Sequence, residues 1–391
     1  MKKDVCVADG GRGSNTVEGN RLTLLTRGPE RMDALIGLIA EARSSLRLLY
    51  YMFSGDAAGL AVREALIDAL NRGITVSLVI DGFGSDATDA FLAPLIDAGA
   101  GLCRFIPRVG RRYLLRNHQK MAIADEARAI IGGFNVSGDY FGTTADHAWR
   151  DLGLLVEGPT IAHLAGYFDA LSAWIHQPRS RIRDLLAELE DWSDSRGKVR
   201  WVFGGPIRGL SPWGKAVKAD ARGAKRLDII AAYFAPNPAM LARIRRVARK
   251  GGQARILTAA ESDNKATIAA ARHCYRRLLR FGVRIFEYQP TKLHTKLLVI
   301  DDKTYVGSAN FDMRSLFINL ELMLRIDDAA FARRCRDYFE HELDRSREIT
   351  RAAHRRESTW LNRLRWTLAY FLVAVLDYNV SRRLNFGVET D

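Results

Sequence analysis

The chain has 391 residues, 48% of them hydrophobic, which is enough apolar surface for one large or two medium cores. Its four cysteines (Cys6, Cys103, Cys274, Cys335) have neither metal-ligand nor redox spacing, which argues against a zinc module or a disulfide framework and fits reduced thiols in a cytosol-facing protein. A formal charge of +14 suits a partner that carries phosphates, and it does not choose between nucleic acid and an anionic membrane surface.

Residues 1–25 read as a flexible lead. They contain two lysines with no apolar run behind them, so neither a signal peptide nor a spanning segment is expected. Residues 30–45 carry Leu35, Leu38, Ile39 and Ala42 at helical spacing. LRLLYYMF then reads as a strand, Gly59 to Asn71 as a helix, ITVSLVID as a buried strand, Asp89 to Ala98 as a helix and LCRFI as a short strand. PRVGRRYLLRN follows, with Arg108, Arg111, Arg112 and Arg116 around Tyr113, Leu114 and Leu115. It is either a solvated loop or a rim that touches lipid. After NHQKMAIADEARAIIGGFN come a loop, a strand in WRDLGLLVEG, and helices over 160–176 and 180–192.

The turn-rich stretch DWSDSRGKVRWVFGGPIRGLSPWGK marks a boundary, giving a first lobe of 26–195 and a second of 196–350. The second half repeats the order: LDIIAAYF as a strand, Ala239 to Arg249 as a helix, ARILTA as a strand, Ala266 to Arg280 as a basic helix, and VRIFEY as a strand. HTKLLVIDDKTYVGSANFDMRSLFINLE comes next, then LMLRI as a strand and a long helix from Ala329 to Ile349. The tail, 351–391, places basic residues on both sides of an eleven-residue apolar run from Trp366 to Leu376. That run is shorter than the roughly 20 residues a spanning helix needs. Its aromatics and arginines fit an element lying on anionic lipid, or a helix docked on the protein itself.

The two quoted stretches correspond residue by residue. His118, Lys120 and Asp125 recur as His294, Lys296 and Asp301, and Gly132, Gly133 and Asn135 as Gly307, Ser308 and Asn310. Two residues apart on a strand, each histidine and lysine share a face, and burying both is costly unless they meet an anion. The separation of the copies suits a duplicated domain rather than a solenoid unit. The turn after Asp301 is one residue shorter than that after Asp125, which predicts a tighter hairpin.

These residues resemble the phospholipase D superfamily, whose signature is H-x-K-x4-D followed by G-(G/S)-x-N, over roughly residues 35 to 345. GSANFDMRSLFINLE brings the resemblance nearest to bacterial cardiolipin synthases and related phosphatidyltransferases. It implies an α/β fold of two similar lobes, each a mixed sheet flanked by helices, with one active site at their interface. It also implies that His118 is the nucleophile that forms a phosphohistidine. His294 would protonate the leaving alcohol and then deprotonate the incoming one. Lys120, Lys296, Asn135 and Asn310 would hold the non-bridging oxygens. Asp151 and Glu321 stand at family-like positions for a carboxylate that fixes an imidazole tautomer. Asp125 and Asp301, past the strand ends, are expected to pin the turn and the lysine. No metal and no cofactor is called for.

The expected reaction is phosphatidyl transfer, cardiolipin formation from two phosphatidylglycerols. The alternatives are phospholipase D-type hydrolysis and a metal-independent phosphodiesterase or nuclease. The partner is expected to be anionic phospholipid, with the protein peripheral on the cytoplasmic face of the cell membrane and held by its tail. Nucleic acid is disfavoured by the lack of a recognisable reading module, and no protein partner is implied. Both copies keep His and Lys, which argues against a non-catalytic scaffold.

Overall fold

A computed structural model of the chain describes residues 13–106, 115–177, 180–207 and 209–376, and the elements below are those of these residues. The first lobe contains strands β1 (Asn15–Val17), β2 (Asn20–Leu25), β3 (Ser45–Tyr50), β4 (Thr75–Asp81), β5 (Gly101–Phe105), β6 (Met121–Ala124), β7 (Arg128–Gly132) and β8 (Gly153–Glu157). Its helices are α1 (Gly28–Ala40), α2 (Ala57–Asn71), α3 (Asp89–Asp97), α4 (Thr160–His176) and α5 (Ile182–Asp191). The sheet order is β1-β2-β8-β7-β6-β3-β4-β5, parallel across β3-β4-β5 and antiparallel elsewhere.

The second lobe begins with β9 (Val199–Gly204), α6 (Pro212–Asp220), β10 (Arg226–Ala231), β11 (Phe234–Ala235), α7 (Pro238–Arg249), β12 (Gln253–Ala259), α8 (Lys265–Arg280) and β13 (Arg284–Tyr288). It continues with β14 (Lys296–Ile300), β15 (Lys303–Gly307), β16 (Phe311–Asp312), α9 (Met313–Phe317), β17 (Glu321–Asp327), α10 (Ala329–Leu343) and β18 (Ser346–Glu348). Its large sheet runs β18-β13-β12-β10-β14-β15-β17-β9. The run β13-β12-β10-β14-β15-β17 repeats β5-β4-β3-β6-β7-β8, so the duplication is structural. Two similar lobes, each a mixed sheet flanked by helices, make up the molecule.

Side-chain alternation along the strands builds the layers. Ala122, Ala124 and Ile130 face the outer core under α1, α2 and α3, while Met121, Ile123 and Ile131 face inward. Leu298 and Ile300 join the outer core beneath α7 and α8, whereas Leu297 and Val299 face inward. The two inner faces meet in one apolar core that also takes up α4 and α10, which joins the lobes.

Two expectations are corrected. Residues 15–25 of the supposed lead are β1 and β2 of the first sheet; Leu22 and Leu24 on alternate positions bury inward, which a free lead does not do. The residues before position 13 lie outside the description. The helix expected to reach Ile349 stops at Leu343, and β18 instead adds an antiparallel edge to β13. The described part of the tail is helical. α11 (Arg351–Glu357) and α12 (Trp360–Tyr370) are followed by a π-helical turn, Phe371–Leu376, and the rest of the tail lies outside the described residues. So do most of the arginines expected to form a rim, Arg108, Arg111 and Arg112.

α12 packs on α8 through Trp366 and Ala369, with Trp366 stacked on His354 and Tyr370 on His273. Its other face stays in solvent: Trp360 is 73%, Leu364 62% and Leu368 55% exposed, at intervals of four, and Leu372 of the π-helical turn continues the row at 46%. No described helix is long and apolar enough to cross a membrane.

Candidate active site

Both motif histidines are placed by short backbone bridges that cross between the lobes. Asn117 pairs with Leu320: the His118 N–H donates to the Leu320 carbonyl at 2.9 Å, and the Leu320 N–H to the Arg116 carbonyl at 2.9 Å. Leu293 pairs with Arg150 in the same way: the His294 N–H donates to the Arg150 carbonyl at 2.7 Å, and the Arg150 N–H to the Lys292 carbonyl at 2.8 Å. Leu320 immediately precedes Glu321, and Arg150 precedes Asp151. Each bridge therefore sets a histidine beside the carboxylate of the opposite lobe. His118 Nδ1 lies 3.1 Å from both Glu321 carboxylate oxygens, and His294 Nδ1 lies 2.7 Å from Asp151 Oδ2. An Nδ1–H donated to a carboxylate fixes the tautomer and leaves Nε2 as the reactive nitrogen of each ring.

The two carboxylates are held differently. Glu321 accepts hydrogen bonds from the Ser308 hydroxyl at 2.5 Å and the Ser315 hydroxyl at 2.7 Å. Asp151 accepts from the Leu152 N–H at 2.7 Å, and its charge is met by Lys296. Position 133 must be glycine here. A Cβ would stand 2.5 and 2.8 Å from the Asp151 carboxylate oxygens and 2.8 Å from Lys296 Cδ. At the matching position of the other copy, Ser308 has room for its side chain and uses it on Glu321. Arg31 fixes the Asp151 backbone: its guanidinium donates to the Asp151 and Tyr140 carbonyls, both at 2.6 Å.

Lys120 Nζ donates to the His118 carbonyl at 2.6 Å and sits over the Tyr51 ring. Lys296 Nζ donates to the His294 carbonyl at 2.5 Å and also lies 2.7 Å from His294 Nδ1. Burial is the main cause of every large shift in this group. It pushes the Lys120 ammonium well below its usual value and Lys296 down to about 8. It lowers His118 to about 4 and His294 to about 3, against the pull of Glu321 and Asp151. Burial also pushes the Asp151 carboxyl up, but Lys296 and His294 outweigh it and hold it below the ordinary range. Both imidazoles are thus neutral at pH 7, as attack on phosphorus requires.

Rings close the walls. Tyr51 meets His118 edge-on at 5.3 Å; Tyr140 and Trp149 approach His294 at 5.2 and 5.4 Å. Asn135 is engaged, its carbonyl oxygen accepting the Met52 N–H at 3.2 Å and its amide donating to the Tyr140 hydroxyl at 3.0 Å. Asn310 Oδ1 is buried with no partner among the described residues. Beyond Met52 the surface opens into a cleft of about 670 Å³ bordered by Ser54, Asp56, Thr88, Ser137 and Asp139.

The structure does not bring Asp125 and Asp301 to this site. Each begins the turn at the far end of its strand, β6 or β14, with φ of 55° and 48°. Asp125 accepts from the backbone N–H groups of Arg43, Ser44 and Ser45, and Asp301 from those of Lys225 and Arg226. They pin the chain entering β3 and β10, not the lysines. The second hairpin is the tighter, with two residues between strands where the first has three.

Sequence reading missed Tyr51, Tyr140, Trp149 and Arg31. Only Arg31 left a signal: it shares the buried stripe of α1 with Leu35, Leu38 and Ile39, an odd place for a guanidinium. Among the described residues, no group of three or more His, Cys, Asp or Glu side chains is arranged to hold a metal ion. What the geometry offers is two Nε2 atoms and two ammonium groups, suited to displacement at a phosphodiester.

Known proteins resemble the chain in the same terms. The family described as "Cardiolipin synthase, PLD-like domain" matches it twice, over residues 35–172 and 219–343. Cardiolipin synthase B of Salmonella typhi is 30% identical over 372 residues, spanning 90% of this chain and 87% of that protein. Cardiolipin synthase 2 of Bacillus cereus is 29% identical over 359 residues, spanning 86% of this chain and 68% of that protein. Among solved structures, phosphatidylserine synthase of Haemophilus influenzae shares the fold at 15% identity, with a TM-score of 0.69 over 95% of this chain and 96% of that one.

Proposed function

Because the chain belongs to the cardiolipin synthase family of phospholipase D-like proteins, we propose that it joins two phosphatidylglycerols into cardiolipin and releases glycerol through a phosphohistidine. The chain is a phosphatidyltransferase of the phospholipase D type. The observation that supports the finer reading is the crossed pairing of each histidine with the carboxylate of the other lobe, which leaves both Nε2 atoms for chemistry.

His118 Nε2 attacks phosphorus, the bond to the glycerol oxygen breaks, and His294 gives that oxygen its proton. The glycerol of a second phosphatidylglycerol then enters. His294 takes the proton from its hydroxyl, the new P–O bond forms, and the P–N bond to His118 breaks. Two features support this division of labour. The 2.7 Å contact to Asp151 favours the imidazolium that a general acid needs. His118 has the longer carboxylate contacts and the more exposed ring, so phosphate reaches it more easily. Lys296 crowds the same Nδ1 of His294, and one nitrogen cannot both donate to Asp151 and accept from an ammonium. When Lys296 turns to the phosphate oxygens that conflict ends, and the bound negative charge raises His294 into the range where it carries a proton.

The outward face of α12 is read as the surface that meets lipid. Its row of Trp360, Leu364, Leu368 and Leu372 is apolar and exposed, and basic residues of α8, α11 and α12 flank it.

The test is incubation of the purified protein with phosphatidylglycerol vesicles, with the lipid products read by mass spectrometry. Cardiolipin and free glycerol are expected, and both His118→Ala and His294→Ala should lose at least roughly 1,000-fold in turnover. Phosphatidic acid as the sole product would replace the transferase reading with hydrolysis. Normal turnover in either variant would sink the mechanism.

A further inference from the structure

The two halves of the site are not chemically equal, and the difference lies at the sheet end beside Lys296. Ala231 at the end of β10 pairs with Lys296 on one side and with Thr258 of β12 on the other. The loop leaving β12 therefore emerges at the same end of the sheet as the catalytic lysine. That loop carries Ser262 and Asp263. Tyr233, two residues past β10, accepts the Phe311 N–H at its carbonyl, immediately beside Asn310. The corresponding residue of the first half is Met52, beside Asn135.

Tyr233 is directed onto Asp263. Its hydroxyl donates to Asp263 Oδ1 at 2.7 Å, and the Ser262 hydroxyl donates to the same oxygen at 2.8 Å. Among the described residues, Oδ2 has no partner and no cation pairs with the carboxylate, which lies exposed at the rim. Its charge is felt by three groups of the site. It supports the ammonium of Lys296 and, after burial, adds to the upward shift of the Tyr51 and Tyr140 phenols. Burial pushes the Asp263 carboxyl itself up, but the hydroxyls of Tyr233 and Ser262 and the nearby His294 outweigh this and keep it ionised.

A free carboxylate at the edge of a phosphodiester site repels the phosphate and cannot hold an acyl chain. It can accept a hydrogen bond from a hydroxyl. We propose that Asp263, braced by Tyr233 and Ser262, is a specificity-determining residue that accepts a hydroxyl of the headgroup alcohol other than the one that reacts. This rests on the transferase reading and names what that site reads in its alcohol: a neighbouring hydroxyl, as in glycerol.

The test uses the full chain and vesicles doped with a phosphatidyl donor whose leaving group is p-nitrophenol, with glycerol and ethanol as competing acceptors. Phosphatidylglycerol and phosphatidylethanol are then quantified by mass spectrometry. Wild type is expected to prefer glycerol. Asp263→Asn should lower the glycerol-to-ethanol ratio about tenfold, the scale of one charge-assisted hydrogen bond. Should that variant be inactive, Tyr233→Phe decides: it keeps the carboxylate but loosens it, and the same ratio should fall by a smaller factor. A ratio unchanged in the active variant, or no glycerol preference in wild type, overturns the proposal and leaves the transferase reading standing. If wild type releases no p-nitrophenol and forms neither lipid, the transferase reading itself fails.

Discussion

At the scale of single residues, the site carries no excess of positive charge. Two lysines, Lys120 and Lys296, face two carboxylates, Asp151 and Glu321, with Asp263 a third at the rim; burial works against both ammonium charges, and the imidazoles are neutral. An incoming phosphodiester finds no surplus positive charge, so binding requires a proton, and His294 is the group placed to take it. Titration calorimetry with a non-reactive phosphodiester in buffers of different ionisation enthalpy should show uptake of about one proton near pH 7. The sign follows from the shifts: His294 rises from about 3 when the anion binds, so affinity grows as pH falls. It should weaken as pH climbs through about 8, where Lys296 gives up its own proton. His294→Asn should abolish the uptake. A wild-type protein that takes up no proton would contradict this reading of the charges. The histidines, lysines and asparagines of this site were legible in the sequence because they repeat. Their pairing across lobes was not, since which carboxylate meets which histidine is decided by the Asn117–Leu320 and Arg150–Leu293 bridges, far apart along the chain.

At the scale of elements, the duplicated signature divides into two parts that do separate jobs. The histidine and lysine lie at one end of β6 or β14, and the aspartate at the other, where it caps backbone N–H groups of a neighbouring segment. Asp125→Ala should therefore cost about 0.5–1.5 kcal/mol in urea denaturation, the net scale of a hydrogen bond whose donors water can reach. Activity per folded molecule should fall by far less than in His118→Ala. Equal losses would return Asp125 to the chemistry. Strand and helix order was readable because buried apolar runs and helical spacing are local properties. The edge strands were not. β1 and β18 are three residues each, and they form only because β2 and β13 offer an open edge. Their own side chains carry little pattern, so tertiary pairing and not propensity decides them.

At the scale of the whole molecule, α12 has one face on α8 and one in solvent. The expectation of a helix docked on the protein holds for the first face; that the second lies on lipid is the proposal made above. Substituting Asp for Leu364 and Leu368 leaves the buried Trp366–Ala369 contact in place. It should cut co-sedimentation with phosphatidylglycerol vesicles at least tenfold, with circular dichroism unchanged. Retained binding would move the lipid surface elsewhere. The crossed histidine–carboxylate pairs carry one more consequence, in the time order of synthesis. When the first lobe has left the ribosome, His118 has no carboxylate, because Glu321 has not been made. Until the second lobe follows and docks, Asp151 has no histidine to orient. A nascent or truncated chain therefore carries no working centre that could cleave the lipids around it, and reactivity begins only when the entire protein is assembled.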